Sequence, residues 1–154
     1  MSRLLLQILV VLAFDARAQA ACGPPTPRDA EGPFYKAGAP ARESLLEPGT
    51  RADTLLLSGR VLSKDCKPVP HARLDFWQAD EKGEYDNAGY RYRGVVTADG
   101  EGRYRLQTVL PGLYPGRPRH IHVKVSPPGG RTLTTQIYFP DAGARRAEFD
   151  FVLQ

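Results

Sequence analysis

Proline and glycine recur so often in this chain that no long helix fits between them. The 154 residues include 14 prolines and 15 glycines, which interrupt helices and favour turns. Between these breaks, segments such as 72–78 and 103–109 alternate apolar and polar side chains with a period of two, as half-buried strands do. Further strands are predicted at 55–62, 90–96, 120–125, 133–139 and 147–153. The pattern predicts an all-β fold, an antiparallel β-sandwich of about six to eight short strands.

Residues 1–20 have the layout of a secretory signal peptide. Arg3 precedes an apolar stretch from Leu4 to Phe14, and Ala18-Gln19-Ala20 places small residues before a cleavage site. The apolar stretch is too short to span a bilayer, and no later segment is apolar enough for a transmembrane helix. We therefore expect an exported protein, periplasmic or secreted, whose mature chain begins near residue 21.

The mature chain changes character after residue 54. Residues 21–54 are rich in proline, glycine and charge and are expected to form an extended N-terminal arm, whereas 55–154 carry the predicted strands. In an oxidising compartment, Cys22 and Cys66 are expected to form a disulfide that ties the arm to the sandwich. A lipid anchor on Cys22, which follows the small residues of the leader, is the alternative.

The charge pattern bears on the choice of partner. The formal net charge is +4, and the arginines are scattered without a lysine-rich tract. Nucleic-acid binding is therefore not expected, whereas attraction of anionic aromatic acids is compatible with this surface.

Two histidines in a predicted strand are the first candidates for chemistry. His120 and His122 are two residues apart, so a strand would place both imidazoles on one face, where they could hold a metal. The alternative is an ordinary polar sheet face. The third histidine, His71, adjoins a proline turn and is expected at the surface. A copper or zinc site would normally need it, or a thiolate, as a further ligand.

Tyrosine is the other candidate ligand type, because phenolate is a hard anionic donor that suits iron(III). Tyr114 lies on the turn before the histidine strand, and Tyr85 follows a turn at Gly83. The chain has seven tyrosines, so spacing alone does not select these two, and each is also explained as a core or rim aromatic.

The residues around these candidates resemble the intradiol ring-cleavage dioxygenases, the family of catechol, hydroxyquinol and protocatechuate enzymes. The resemblance spans most of the mature chain and is closest to small exported members. The motifs that carry it are Glu31-Gly32-Pro33-Phe34-Tyr35, Trp77-Gln78-Ala79-Asp80 with Gly83-Glu84-Tyr85, Tyr114 to His122, and Thr135-Gln136-Ile137-Tyr138-Phe139. The family fold is a β-sandwich.

The resemblance implies one non-haem iron(III) per chain, with its ligands at Tyr85, Tyr114, His120 and His122. It also implies that Arg117 lies over the substrate ring, that Gln136 helps to place it, and that Tyr114 takes a substrate proton. The implied reaction inserts both atoms of O2 into a catechol-type ring and gives a cis,cis-muconate-type diacid. Because only Pro115 and Gly116 separate Tyr114 from Arg117, fewer than in the large bacterial members, the substrate is left open.

A second resemblance implies no chemistry. The Ser58-Gly59-Arg60-Val61 and Thr97 to Tyr104 segments are also similar to transthyretin-like sandwich modules, which bind or stabilise other proteins. Under that interpretation Tyr114 closes a corner of the fold and the histidines are incidental. Oligomerisation is compatible with both hypotheses.

Overall fold

Eight strands in two four-stranded sheets make up the computed structural model, which describes residues 21–154. The predicted signal peptide lies outside the described residues. The strands are β1 (Thr54–Ser63), β2 (Arg73–Trp77), β3 (Arg93–Thr97), β4 (Arg103–Val109), β5 (His120–Ser126), β6 (Leu133–Tyr138), β7 (Arg146–Glu148) and β8 (Phe151–Leu153). The predicted all-β sandwich is therefore confirmed.

The two sheets differ in strand direction. One has the order β3-β2-β5-β6 and is antiparallel throughout. In the other, β1 pairs with β4 in antiparallel fashion but with β7 and β8 in parallel fashion. The strands β7 and β8 occupy successive stretches of the same edge of β1. Because both run parallel to β1 while β4 runs antiparallel to it, this sheet is mixed rather than purely antiparallel.

The segment 147–153, predicted as one strand, is divided at Phe149 and Asp150. The Phe149 carbonyl turns toward the hydroxyl of Tyr104, which donates to it at 2.7 Å, and Asp150 accepts from the backbone N–H of Arg60 at 2.7 Å. A Cβ at Gly59 would lie 1.9 Å from the Phe149 carbonyl oxygen. Side-chain hydrogen bonds therefore satisfy the Phe149 carbonyl and the Arg60 N–H in place of ladder bonds. Only glycine at position 59 leaves room for this carbonyl.

Alternation along the strands separates the core from the outer faces. Leu57 of β1, Leu106 of β4 and Phe76 of β2 are fully buried between the sheets. On the opposite face of β2, Trp77 is also buried, because Tyr35 of the arm packs on it with ring centroids 4.9 Å apart. The outer face of the β3-β2-β5-β6 sheet is thus a second, smaller packing layer that is covered by the arm.

The arm is integrated into the sandwich at several points. Thr26 donates its backbone N–H to the Val152 carbonyl, and Leu45 is fully buried in the core. The expected disulfide is present between Cys22 and Cys66, with the Cα atoms 5.4 Å apart. A sulfur in this bridge is not available for lipid attachment. In the described part of the chain, no helix has the length and apolarity needed to cross a bilayer.

Candidate metal centre

The candidate ligands converge at one end of the β3-β2-β5-β6 sheet, on its outer face. His122 is paired with Trp77 of β2 on one side and with Gln136 of β6 on the other. Residues paired across a sheet share a face, so His120, two residues earlier, also points outward beneath the arm. Both histidines are nevertheless buried, with 5% and 3% of their surface exposed.

The two imidazoles meet through their Nε2 atoms, which are 3.1 Å apart. The Nδ1 atom of His120 lies 2.7 Å from the carbonyl oxygen of Pro118. Because a carbonyl oxygen can only accept, Nδ1 carries the proton, and Nε2 of neutral His120 presents a lone pair to the site. A backbone contact of this kind fixes the tautomer of a metal-binding histidine.

His122 is held flat between two neighbours. Its ring stacks on Trp77 at a centroid separation of 4.8 Å and an interplanar angle of 6°, and a Cβ on Gly32 would stand 3.4 Å from its Cε1 atom. Burial, reinforced by the repulsion that a protonated His120 would exert and by the charge of Arg117, lowers the pKa of His122 to about 3. This imidazole is therefore neutral at physiological pH, as a metal ligand must be.

Tyr85 reaches the histidines from the loop after β2. Its hydroxyl lies 3.2 Å from Nε2 of His120, and Phe34 of the arm stacks on its ring at 4.2 Å. Burial raises the pKa of Tyr85 to about 12, against the opposing charges of Arg117 and Arg93. The side chain is thus a neutral phenol until a cation compensates the buried phenolate.

Tyr114 completes the group from the loop before β5. Its ring approaches that of Tyr85 edge-on, with centroids 5.9 Å apart, and meets Phe34 in the same manner at 5.6 Å. The structure therefore brings together all four side chains that the resemblance implied as ligands, although they come from two loops and one strand.

Glycines allow the two tyrosine-bearing loops to touch. Gly83 has a φ of +89°, and a Cβ there would lie 2.2 Å from the carbonyl oxygen of Leu113, the residue before Tyr114. From the other loop, a Cβ on Gly112 would lie 2.4 Å from the Gly83 nitrogen. Backbone contact at this distance excludes any side chain and fixes how near Tyr85 and Tyr114 can come.

Replacing Gly83 with Ala should separate the two loops. The new methyl group meets backbone rather than a flexible side chain, so the Tyr85 loop must shift. We expect the variant to keep the β-sheet circular dichroism spectrum and to bind iron at least about tenfold more weakly, since ligand geometry tolerates little displacement. Gly100, which has open space around its Cα, is the control: Gly100→Ala should bind iron normally. Unchanged iron affinity in Gly83→Ala would show that the loop contact does not set the ligand positions.

The donor spacing fits a single ion. Metal–nitrogen bonds of about 2.1 Å meeting at roughly a right angle place two ligand atoms about 3.0 Å apart. The contacts of His120 Nε2 with His122 Nε2 and with the Tyr85 hydroxyl are 3.1 and 3.2 Å. Two phenols that can ionise and two neutral imidazoles also supply the hard, partly anionic donor set that a trivalent iron prefers. The residues therefore fit iron(III).

Arg117 lies beside this group. Its backbone N–H donates to the Tyr114 carbonyl at 2.9 Å, which closes a turn between the two residues. One guanidinium nitrogen, Nη2, donates to Gln136 Oε1 at 2.8 Å. Burial lowers the pKa of both histidines, and the charge of Arg117 adds to this effect. Gln136 is thus the neighbour of His122 across the sheet, and Arg117 is bonded to it.

His71 takes no part in the site. It is exposed, as predicted, at the turn before β2, while the ligand group lies beyond Trp77 at the other end of that strand. Six residues of extended chain span about 20 Å. The alternative of a copper or zinc site completed by His71 is therefore wrong.

Sequence reasoning assigned no role to several residues that shape the site. Phe34 and Gly32 of the arm, Trp77 of β2, and Asp29 all lie around the ligand group or Arg117. Three of the four fall in motifs that carry the family resemblance, and those motifs were the sequence signal that could have indicated their role in the site. Their contacts join residues far apart in the chain, and local periodicity carries no information about such contacts.

Comparison with known proteins places the chain in a family. The family model described as Dioxygenase matches residues 30–152. A catechol 1,2-dioxygenase from Pseudomonas sp. (strain EST1001) is 36% identical over 152 residues, covering 81% of this chain and 50% of the relative. A hydroxyquinol 1,2-dioxygenase from Rhizobium sp. (strain MTP-10005) is 33% identical, covering 71% and 46%.

A solved structure matches more completely. The dioxygenase domain of a dioxygenase carbohydrate-binding protein fusion from Streptomyces sp. SirexAA-E aligns with a TM-score of 0.80 and 43% identity, covering 84% of this chain and 98% of that one. By contrast, the chain spans about half the length of the curated relatives it matches. The extensive family match, together with the shared sandwich, shows that the chain belongs to the intradiol ring-cleavage dioxygenases.

Proposed function

We propose that this protein is a non-haem iron(III) enzyme that cleaves catechol-type rings between their two hydroxylated carbons. One observation carries the proposal: His120 Nε2 lies 3.2 Å from the Tyr85 hydroxyl and 3.1 Å from His122 Nε2, so three donor atoms stand in successive contact. Tyr114, on a second loop, packs its ring edge-on against that of Tyr85, with centroids 5.9 Å apart. The proposed centre holds one iron per chain through these four residues.

Each residue of the site has a task in this reaction. The lone pair of His120 is directed inward by the Pro118 carbonyl, and Phe34 and Trp77 keep water from the rings of Tyr85 and His122. A bound iron(III) would supply a Lewis acid and a template for the two substrate oxygens. Held on that iron as a phenolate, Tyr114 would be able to accept one proton from the incoming substrate at its oxygen, which would leave a neutral phenol.

Arg117 supplies positive charge where the substrate ring would lie. Negative charge develops on the ring as it attacks O2, and a guanidinium fixed beside it stabilises that charge. Both atoms of O2 enter the product, a cis,cis-muconate-type diacid, so the atoms balance without a reducing cosubstrate.

The proposed substrate is a catechol-type ring, as the names of the catechol and hydroxyquinol 1,2-dioxygenase relatives suggest. Leu113 and Tyr138, which flank the ligand loop and the ligand strand, are 58% and 42% exposed. The exposure of these two side chains leaves the edge of the site open enough for a substrate whose ring carries substituents. The leader-like residues 1–20 support export to the periplasm or the medium as part of the proposal.

Colour and oxygen uptake test the proposal directly. After reconstitution with iron, the mature protein should be wine-red from tyrosinate-to-iron(III) charge transfer, and the absorption should shift when catechol is added anaerobically. Admission of air should then consume one O2 per catechol. A colourless protein that binds no iron would contradict the proposal and favour the transthyretin-like binding module. A coloured protein without uptake on a panel of catechols and hydroxyquinols would contradict the activity alone.

A further inference from the structure

A carboxylate from the arm reaches Arg117 through the hydroxyl of Tyr138. This hydroxyl lies 2.7 Å from Asp29 Oδ2 and 3.3 Å from Nη2 of Arg117. A second route runs through Gln136, whose Oε1 lies 2.8 Å from the same Nη2. The arm and β6 therefore converge on one nitrogen of the arginine.

The donors and acceptors in this cluster can be assigned. Nε2 of Gln136 lies 2.8 Å from the Ala30 carbonyl, which can only accept, so the amide oxygen must face Arg117. Tyr138 has one proton, and its shorter contact is with the Asp29 carboxylate rather than with Gln136 Oε1 at 3.2 Å. The Tyr138 oxygen is then free to accept from Arg117. Both acceptors of Nη2 are thus themselves held by arm residues 29 and 30.

The arm residues are in turn anchored to the ligand-bearing sheet. The Asp29 backbone N–H donates to the Thr134 carbonyl of β6 at 2.9 Å, and Tyr138 is paired across the sheet with His120. The bond from Tyr138 and the charge of Arg117 lower the pKa of Asp29, which keeps the carboxylate ionised. The cluster is therefore tied to the same strand pair that carries the histidines.

We propose that Asp29 and Tyr138 are positioning residues that, with Gln136, fix the Arg117 guanidinium beside the substrate ring. The inference rests on the proposed function. An arginine side chain has many rotamers, and it stabilises developing charge only when it is held in place before the reaction. Loss of the Tyr138 hydroxyl removes one acceptor from Nη2 and disconnects the arm carboxylate from the cluster.

Kinetics of iron-loaded variants test this role. Tyr138→Phe and Asp29→Ala should each lower kcat by about tenfold and change KM for catechol less than about twofold, because the held guanidinium acts on the transition state. In an Arg117→Ala background, Tyr138→Phe should cause no further loss, since its partner is gone. Arg28→Ala is the matched control: Arg28 also bonds the arm to the chain, to the Thr132 carbonyl at 2.9 Å, and its loss should leave kcat unchanged. Multiplicative losses in the double variant would overturn the proposal.

A measurement on the metal-free protein separates this inference from the proposed activity. The 15N resonance of Arg117 Nε, identified by its absence in Arg117→Ala, should show a rigid heteronuclear NOE in the wild type. In Tyr138→Phe it should fall to the value of a mobile surface arginine, whereas Arg28→Ala should leave it rigid. An Arg117 that stays rigid without Tyr138 would refute the positioning role. A wild type that consumes no O2 but shows the expected NOE pattern would contradict only the activity.

Discussion

Replacing His120 with Ala should leave a folded protein that no longer binds iron. His120 Nε2 is in contact with both the Tyr85 hydroxyl and His122 Nε2, so its removal takes away the central donor of the group. Tyr85→Phe should remove an anionic donor with no change of shape and should abolish the charge-transfer colour. Because even residues behind metal ligands change affinity by about 10–100-fold, we expect at least about a 100-fold loss of iron affinity in each variant. Metal analysis and visible absorption measure it.

The control for this experiment is the histidine outside the site. His71 is exposed at the far end of β2, so His71→Ala should bind iron and keep its colour. Thermal unfolding followed by circular dichroism should show that His120→Ala still folds, because the ring lies in the arm-covered layer rather than in the main core. Full iron content and colour in His120→Ala would mean that the metal lies elsewhere.

The strands could be predicted because their information is local. In β4 the buried positions alternate strictly from Tyr104 to Thr108, as a sheet with one wet face requires. The division of 147–153 could not be predicted, because it depends on Gly59, some 90 positions earlier, which admits the Phe149 carbonyl. The parallel direction of β7 and β8 likewise depends on the path of the chain across the sandwich, which periodicity does not specify.

The residues of the candidate site also differ in whether local sequence could predict them. A two-residue spacing places His120 and His122 on one face of a strand, so physical reasoning alone put the pair forward as candidate ligands. Tyr85 was identified by resemblance, because its contact with His120 spans 35 positions. Asp29 and Tyr138 were missed as a pair, since 109 positions separate them. Contacts of this kind are created by the arm folding back over the sheet.

Arg117→Ala should keep iron and colour but lose most of its turnover. The guanidinium is not among the proposed ligands, yet it lies beside them and bonds Gln136, the neighbour of His122 across the sheet. Removal of one fixed donor from a site of developing negative charge typically lowers kcat by about 10²–10³-fold. We expect a loss of this size in oxygen uptake with catechol, together with normal metal content.

A second arginine of the same loop makes the comparison specific. Arg119 is two residues further along, but its side chain lines a separate cleft with Asp53 and Arg145. Arg119→Ala removes the same charge and bulk from the loop and should retain at least about half of the wild-type kcat, since the Arg119 charge lies in that separate cleft rather than beside Gln136 and the ligands. If both variants lost activity equally, loop integrity rather than charge at the ring would be responsible. If Arg117→Ala alone kept full turnover, stabilisation of the ring would have to come from the metal and its ligands.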